Sequence, residues 1–280
     1  MSYKDLLVHV DESKACAKRI EAAIGLAAAH EAHLTAVCVR AEPPALAYAT
    51  VQLPQEVLQA LSREATERAE GALERFADAA RRAGIAYETR MDRGLDVDLP
   101  ETLALHARHA DLIVVGQVDE DDPAVRSRGL PEEVTLNSGR PTLVVPYIGA
   151  AATIGERVMV AWNASREAAR AIGDAMPLLE RAKVVTVVSV NARPDALGHG
   201  EDPGADIGAH LARHGLKVEV ERLEARDIDV PNAILSRLAD AGSDLLVMGC
   251  YGHSRLREMV LGGVTRTILG EMTVPVLMAH

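Results

Sequence analysis

Glycines spaced along one loop give the clearest chemical signal in the C-terminal half of the chain. Gly249, Gly252, Gly262 and Gly263 frame residues 249–263, between an apolar strand-like segment and a helix-like one. Glycine lets main-chain N–H groups approach a phosphate with no Cβ in the way, and a following helix start adds unpaired amides and a positive dipole end. The run therefore predicts an anion cradle, although glycine-rich turns also occur without a ligand.

Polar side chains in and after this loop are further candidates for phosphate contact. His253 and Arg255 lie inside it, where they either pair with phosphate charge or are simply solvated. Thr265 falls in the first turn of the following helix, next to Val264. Its hydroxyl either bonds a phosphate or serves as an N-terminal helix cap, and the sequence leaves both alternatives open.

The segments that must position this loop occur twice along the chain. The matching pairs are 6–13 with 158–165, 34–39 with 185–190, 84–88 with 215–219, 111–116 with 244–249, and 141–145 with 275–279. Short apolar runs separated by amphipathic stretches of helical length, such as 65–83 and 232–241, are typical of right-handed βαβ units on a parallel sheet. We therefore predict two doubly wound, Rossmann-like α/β domains of five parallel strands each, at 1–149 and 154–280.

The connection between the repeats, residues 146–153, is short, so the two domains are expected to form a fixed intramolecular pair. The fifth strands, 141–145 and 275–279, would be exposed edges in isolated domains, and we expect them to pair across a pseudo-twofold axis. The repeats differ most in length at 41–54 and around 198–208, which are candidate flaps. Whether two chains associate into a homodimer is left open.

At this point the loop resembles a known family, the universal stress proteins. Their nucleotide-binding members carry Gly, two residues, Gly, nine residues, Gly and then Ser or Thr, and Gly249, Gly252 and Gly262 match that spacing. The resemblance extends over both halves of the chain. It departs at Gly263, where those members place a hydroxyl residue. It implies an adenine nucleotide, ATP, ADP or AMP, as the cofactor, with or without Mg²⁺.

The resemblance also assigns roles at the strand ends of the second copy. Asn163 stands where the family has an acid that meets the nucleoside, and its amide can still donate and accept hydrogen bonds. The main chain of Val190 would meet the adenine edge, while Ala161 and Met248 would line the base pocket. Asn163 is alternatively a turn residue, with Ser165 capping the next helix. The predicted nucleotide-binding set is Ala161, Trp162, Asn163, Val190, Met248, Gly249, Gly252, His253, Arg255, Gly262, Gly263, Val264 and Thr265.

The equivalent loop of the first copy begins at Gly116 but has Asp119 at the middle glycine, within the acidic run 119–122. Carboxylates there would repel phosphate, since two unit charges about 4 Å apart interact by about 1 kcal/mol even in water. The run alternatively collects a divalent cation or is solvated. Asp11 retains the family's nucleoside-facing acid, or only caps the helix after Ser13. We therefore predict one phosphate-binding loop, in the second copy.

Composition limits the classes of binding partner and the cellular locations that are expected for this chain. The net charge of −11, with no basic stripe, argues against a nucleic acid partner. No apolar run is long enough for a signal peptide or a bilayer span. Three cysteines without close spacing indicate a reducing compartment, so a soluble cytoplasmic protein is expected.

No Ser-His-Asp order, paired catalytic carboxylates, zinc spacing or Walker motif is present in the sequence, so dedicated catalysis has no visible machinery. The leading interpretation is a stress-response binding protein in which nucleotide occupancy of the second copy biases interaction with an unknown protein partner. The alternatives are slow ATP hydrolysis or self-phosphorylation, as some family members show, and an interaction protein with both pockets empty.

Overall fold

Strands and helices alternate along the chain in the computed structural model, which describes residues 2–41, 54–151, 153–192, 202–250 and 263–280. The strands are β1 (Asp5–His9), β2 (His33–Ala41), β3 (Tyr87–Gly94), β4 (Leu112–Gly116), β5 (Thr142–Val145), β6 (Arg157–Ala161), β7 (Val184–Val190), β8 (Val218–Leu223), β9 (Leu245–Gly249) and β10 (Val276–Ala279). The helices are α1 (Cys16–His30), α2 (Gln55–Ala83), α3 (Leu99–Ala107), α4 (Leu130–Ser138), α5 (Arg166–Leu179), α6 (Ala205–Arg213), α7 (Val230–Ala241) and α8 (Val264–Glu271), with a short 3-10 helix at Asp96–Asp98.

The strands form one ten-stranded sheet in the order β3-β2-β1-β4-β5-β10-β9-β6-β7-β8. Neighbouring strands within each half are parallel, and the central pair, β5 and β10, is antiparallel. Leu143 faces Leu277 in that pair, with Val144 opposite Val276. The order reads the same outward from this pair in both directions, which confirms the predicted α/β fold and the pairing of the two fifth strands.

The inner parallel strands are buried on both faces, as expected for a sheet covered by helices on both sides, whereas the edge strands β3 and β8 are half-buried or exposed. Leu6 and Val8 of β1 belong to one apolar cluster, while Leu7 between them belongs to the other. The first cluster includes core residues of α1, α2 and α5, and the second those of α3, α7 and α8. Together the two layers hold the carboxyl ends of the strands at fixed positions.

Three elements begin three or more residues away from their predicted starts. The third strands, β3 and β8, begin three residues later than 84 and 215, because Gly84 and Gly215 have positive φ angles of 68° and 81° in the turns before them. α2 begins at Gln55 rather than near 65. Its first turns are mostly exposed and bury no residue before Ala69, so they show no amphipathic pattern from which the sequence could predict them.

The candidate flaps lie largely outside the described residues, which omit 42–53 and 193–201. In the described part of the second flap candidate, 205–208 form the start of α6, and its role as a flap stays a prediction. Among the described residues, no helix is long and apolar enough to span a bilayer.

Candidate functional site

Each half of the sheet reverses its strand order at one point, between β1 and β4 in the first copy and between β6 and β9 in the second. The connections on either side of such a point run to opposite faces, so a crevice opens beyond the carboxyl ends of the two strands. These two crevices are the positions at which a ligand site is expected.

The second crevice brings together residues that the sequence predicted. Ala161 ends β6 directly beside Met248 of β9, and Val190 ends the neighbouring β7. Met248 is buried, while Ala161 and Val190 are half-buried. The main-chain N–H of Trp162 donates to the carbonyl of Val188 at 2.8 Å, which extends the β6–β7 pairing by one residue. These residues form an apolar floor at the carboxyl edge of the sheet.

Gly249 lies where the last residue of β9 meets the first turn of α5. A Cβ at this position would lie 2.6 Å from the main-chain nitrogen of Ala168 and 2.9 Å from the Cβ of Glu167. Only glycine allows this approach, because real Cβ atoms essentially never come within 3.0 Å of another heavy atom. Glycine at 249 is therefore required for packing, independently of any ligand.

Asn163 and Ser165 shape the turn between β6 and α5. The Oδ1 of Asn163 accepts from the main-chain N–H of Ser165 at 3.1 Å, and Ser165 Oγ accepts from that of Ala168 at 3.1 Å. Ala164 between them has a φ of 58°. Ser165 is thus the N-cap of α5, and Asn163 has the turn role that the sequence left open. Its exposed amide also lies at the crevice, so nucleoside contact stays a prediction.

α8 begins at Val264 with Gly263 as its N-cap, and no described side chain caps it. Thr265 is the second helical residue and is 4% exposed, so the helix-cap reading of its hydroxyl is wrong. The first turn carries no acidic residue that would oppose an anion at this helix end. Phosphate contact by Thr265 stays a prediction. The other loop residues of the predicted set lie outside the described residues: Gly252, His253, Arg255 and Gly262.

Glu167, which the sequence analysis did not single out, is buried in the first turn of α5 beside Gly249. Its Oε1 accepts from Arg166 Nε at 2.5 Å, while its Oε2 has no hydrogen-bond partner within the described ranges. A glutamate in the first turn of an amphipathic helix is ordinary, so no sequence signal distinguished it.

The first crevice contains a buried charge network instead of an apolar floor. Arg19 Nη2 lies 2.7 Å from Asp11 Oδ1, and Arg19 Nε donates to the carbonyl of His9 at 2.7 Å. Ser13 donates to Asp11 through both its N–H and its hydroxyl, at 3.0 and 2.5 Å. Burial by itself raises the pKa of Asp11, but Arg19, His9 and these hydrogen bonds together lower that pKa well below its ordinary range.

These contacts decide the role of Asp11. α1 begins at Cys16 with Ala15 as its N-cap and no capping side chain, so Asp11 does not cap that helix. Its carboxylate is held by Arg19, whose guanidinium lies against Gly116. In the second copy the residue eight positions after Asn163 is Ala171, so this pairing has no equivalent there.

The acidic run 119–122 is partly folded back on the protein. Asp119 Oδ1 accepts from the N–H of Asp121 at 3.1 Å, and Asp122 is buried. Within the described residues, no group of three or more His, Cys, Asp or Glu side chains could hold a metal ion. The divalent-cation alternative for this run therefore has no ligand set.

Comparison with known proteins identifies the family. The profile of the universal stress protein family matches residues 2–146 and 155–280, which together cover most of the chain. The chain belongs to the universal stress protein family. Each matched segment contains one set of five strands, β1–β5 or β6–β10. The boundaries predicted at 149 and 154 fall between the matched segments.

Individual universal stress proteins are similar to this one to different extents. A curated universal stress protein of Synechocystis sp. is 36% identical over 97 residues, 34% of this chain, and the match spans only 30% of that relative's length. The crystal structure of a universal stress protein from Archaeoglobus fulgidus aligns with 98% of this chain and 95% of its own, at a TM-score of 0.74 and 18% identity. A universal stress protein solved in complex with cAMP is 27% identical, covers 52% of this chain and 98% of its own, and has a TM-score of 0.38.

Proposed function

We propose that this universal stress protein binds an adenine nucleotide in its C-terminal copy and that occupancy changes its interaction with a protein partner in a stress response. The observation that carries the proposal is the crevice between β6 and β9, where Ala161, Val190 and Met248 form an apolar floor. An adenine ring suits such a floor, and the main-chain groups at the end of β7 supply hydrogen bonds for its edge.

The polar parts of a nucleotide have partners on the same side of the sheet. The amide of Asn163 is exposed beside the crevice and suits a ribose hydroxyl. The first-turn amides of α8 suit phosphate oxygens, and Thr265 supplies a hydroxyl in place of the one absent at Gly263. The described residues contain no cluster of three or more His, Cys, Asp or Glu side chains for Mg²⁺, so an ion would be held mainly by the phosphates and water.

The location proposed for this activity is the cytosol. Cys16 and Cys38 are buried free thiols, which suits a reducing compartment. Burial raises the pKa of the Cys38 thiol to about 12, so that thiol is protonated and unreactive at neutral pH.

Two measurements test the nucleotide proposal. Mass spectrometry of the denatured, freshly purified protein should release an adenine nucleotide, and calorimetric titration of the stripped protein with ATP and AMP should show binding at one site per chain. Phosphate release in the same samples reports any slow hydrolysis. No released nucleotide together with no heat of binding would overturn the proposal and favour an interaction protein with empty pockets.

A single substitution locates the site. Gly252→Asp copies the acidic residue of the first copy into the second loop, and we expect it to abolish the nucleotide-induced rise in melting temperature, which depends on ligand concentration relative to Kd. Gly173→Asp is the matched control, because Gly173 is an exposed residue of α5 with open space around it. An equal nucleotide-induced rise in both variants would place the ligand elsewhere.

A further inference from the structure

Arg126 lies across the carboxyl ends of β2 and β3 in the first copy. Its Nη1 donates to the carbonyl of Val39, its Nη2 to the carbonyl of Gly94 at 3.4 Å, and its Nε to Asp96 Oδ1 at 2.5 Å. The side chain is 20% exposed, although Arg126 belongs to the loop between β4 and α4. One planar guanidinium therefore uses three N–H groups to bridge two strand ends and a carboxylate.

Asp122 of the same loop holds the other side of the first crevice. Its Oδ2 accepts from the main-chain N–H of Lys14 at 2.8 Å, and its Oδ1 from that of Ala124 at 3.1 Å. Lys14 belongs to the turn that leads into α1, so the carboxylate lies near the start of that helix. An anionic group of the protein itself thus occupies a position that suits a ligand anion.

The space left in this crevice is small. Arg126, Arg19 and the loop leave a cavity of about 30 Å³ between His9, Asp11 and Gly116. A cavity of that size holds about one or two water molecules and excludes any nucleoside. The crevice is therefore filled with side chains in addition to being acidic.

The second copy has no arginine at the sequence positions that match Arg126. Arg126 is ten residues after Gly116 and four before the start of α4. The residue ten after Gly249 is Met259, and the residue four before the start of α8 is Val260, and neither side chain donates hydrogen bonds. The sequence of the second copy thus has no arginine at the position of Arg126.

We infer that side chains of the first copy take the place of a ligand in its own crevice. The Arg126 guanidinium occupies the position that a planar N–H-donor group of a ligand would have, and the Asp122 carboxylate occupies that of an anionic group. The loop 117–129 therefore keeps the first crevice permanently closed. Removal of the Arg126 guanidinium then opens a site for small planar N–H-donor cations of the guanidinium class, bounded by the carbonyls of Val39 and Gly94 and by Asp96. The inference concerns the first copy only and does not depend on nucleotide binding in the second.

Chemical rescue tests this inference. Arg126→Ala should lower the melting temperature by about 5 °C, since it removes the three hydrogen bonds with which the guanidinium bridges β2, β3 and Asp96. Methylguanidinium at about 20 mM should restore at least half of the loss. Arg128→Ala is the matched control, because Arg128 is in the same loop with its side chain 76% exposed. Methylguanidinium should not change the melting temperature of Arg128→Ala or of the unsubstituted protein.

Hydrogen exchange gives a local readout of the same binding. Peptides covering 92–98 and 124–128 should lose protection in Arg126→Ala and regain it with methylguanidinium, but not with tetramethylammonium, which has the charge without N–H donors. If Arg126→Ala does not fold, both measurements use Arg126→Gln instead, which keeps a shorter planar N–H donor. An unchanged melting temperature, or a loss that the two cations restore equally, would overturn the inference.

Discussion

His9 is fully enclosed at the end of β1, with its Nδ1 3.6 Å from Asp11 Oδ2. Burial, aided by Arg19 and Arg126, lowers the pKa of His9 to about 4, although Asp11 opposes the shift. The native imidazole is therefore neutral where an unfolded histidine, with a pKa of about 6.5, already takes up a proton. Acidification through that interval favours the unfolded chain.

The expected consequence is a loss of stability as the pH falls from about 6.5 to about 4. A difference of about 2.5 pKa units corresponds to about 3 kcal/mol of unfolding free energy at the end of that interval. Urea unfolding at several pH values should show a shallower decline for His9→Gln than for the unsubstituted protein. His214→Gln, which removes an exposed histidine, should leave the decline unchanged. Parallel curves for all three proteins would contradict the argument.

Two buried threonines differ in whether their hydroxyls are bonded. Thr142 in β5 is fully buried, and its Oγ1 has no partner in the described part of the chain. Thr135 in α4 is equally buried, but its Oγ1 donates to the carbonyl of Pro131 at 2.7 Å. Thr142→Val should therefore raise the unfolding free energy by up to about 1 kcal/mol, while Thr135→Val should lower it by about 1 kcal/mol. Denaturant unfolding measures both, and shifts of the same sign would refute the assignment.

At the scale of elements, the approach of β9 to α5 depends on Gly249. Gly249→Ala forces a Cβ to within 2.6 Å of the Ala168 nitrogen, so strand and helix must separate, at a cost of about 1–3 kcal/mol. Gly173→Ala is the matched control, since Gly173 lies within α5 with nothing near its Cβ position. There the change should stabilise by about 0.5–1 kcal/mol. Thermal unfolding should show opposite signs, and tolerance of Gly249→Ala would mean that the helix packs less closely.

At the scale of the whole molecule, Gln117 ties the two copies together. Its Nε2 donates to the carbonyls of Leu269 and Gly270, at 2.9 and 3.1 Å, at the end of α8. Its Oε1 accepts from the N–H of Tyr147 in the connection between the copies, at 3.1 Å. Gln117 directly follows β4, so the end of one crevice strand supports the helix that begins at the other crevice.

Replacement of Gln117 tests this junction. Gln117→Leu keeps the approximate volume but leaves buried main-chain groups unpaired, and should lower the unfolding free energy by about 2–3 kcal/mol. Gln59→Leu, the same change at an exposed position of α2, should have little effect. The measurement is urea unfolding followed by probes in both copies. Equal stability of the two variants would show that the hydrogen bonds of Gln117 do not stabilise the junction between the copies.

The sequence by itself determined the repeat, the βα order and the partner of each edge strand. Apolar runs such as 112–115 and 245–248 indicate strands that are buried on both faces of a sheet. The two fifth strands would each be an exposed edge, and pairing with each other removes both edges. The acidic residue at 119 and the glycine at 252 likewise differ in the sequence, so the asymmetry of the loops was predicted without coordinates.

Only the tertiary structure decided what fills the first crevice and what joins the copies. Arg126 and Gln117 are ordinary polar residues in the sequence, and their partners at Val39 and Leu269 lie 87 and 152 residues away. Periodicity reports which face of an element is buried, but it does not report where a long side chain from a loop ends. The same holds for Gly249, whose need for glycine arises from the approach of α5. Contacts of that kind depend on how the layers pack, so only the folded structure contains them.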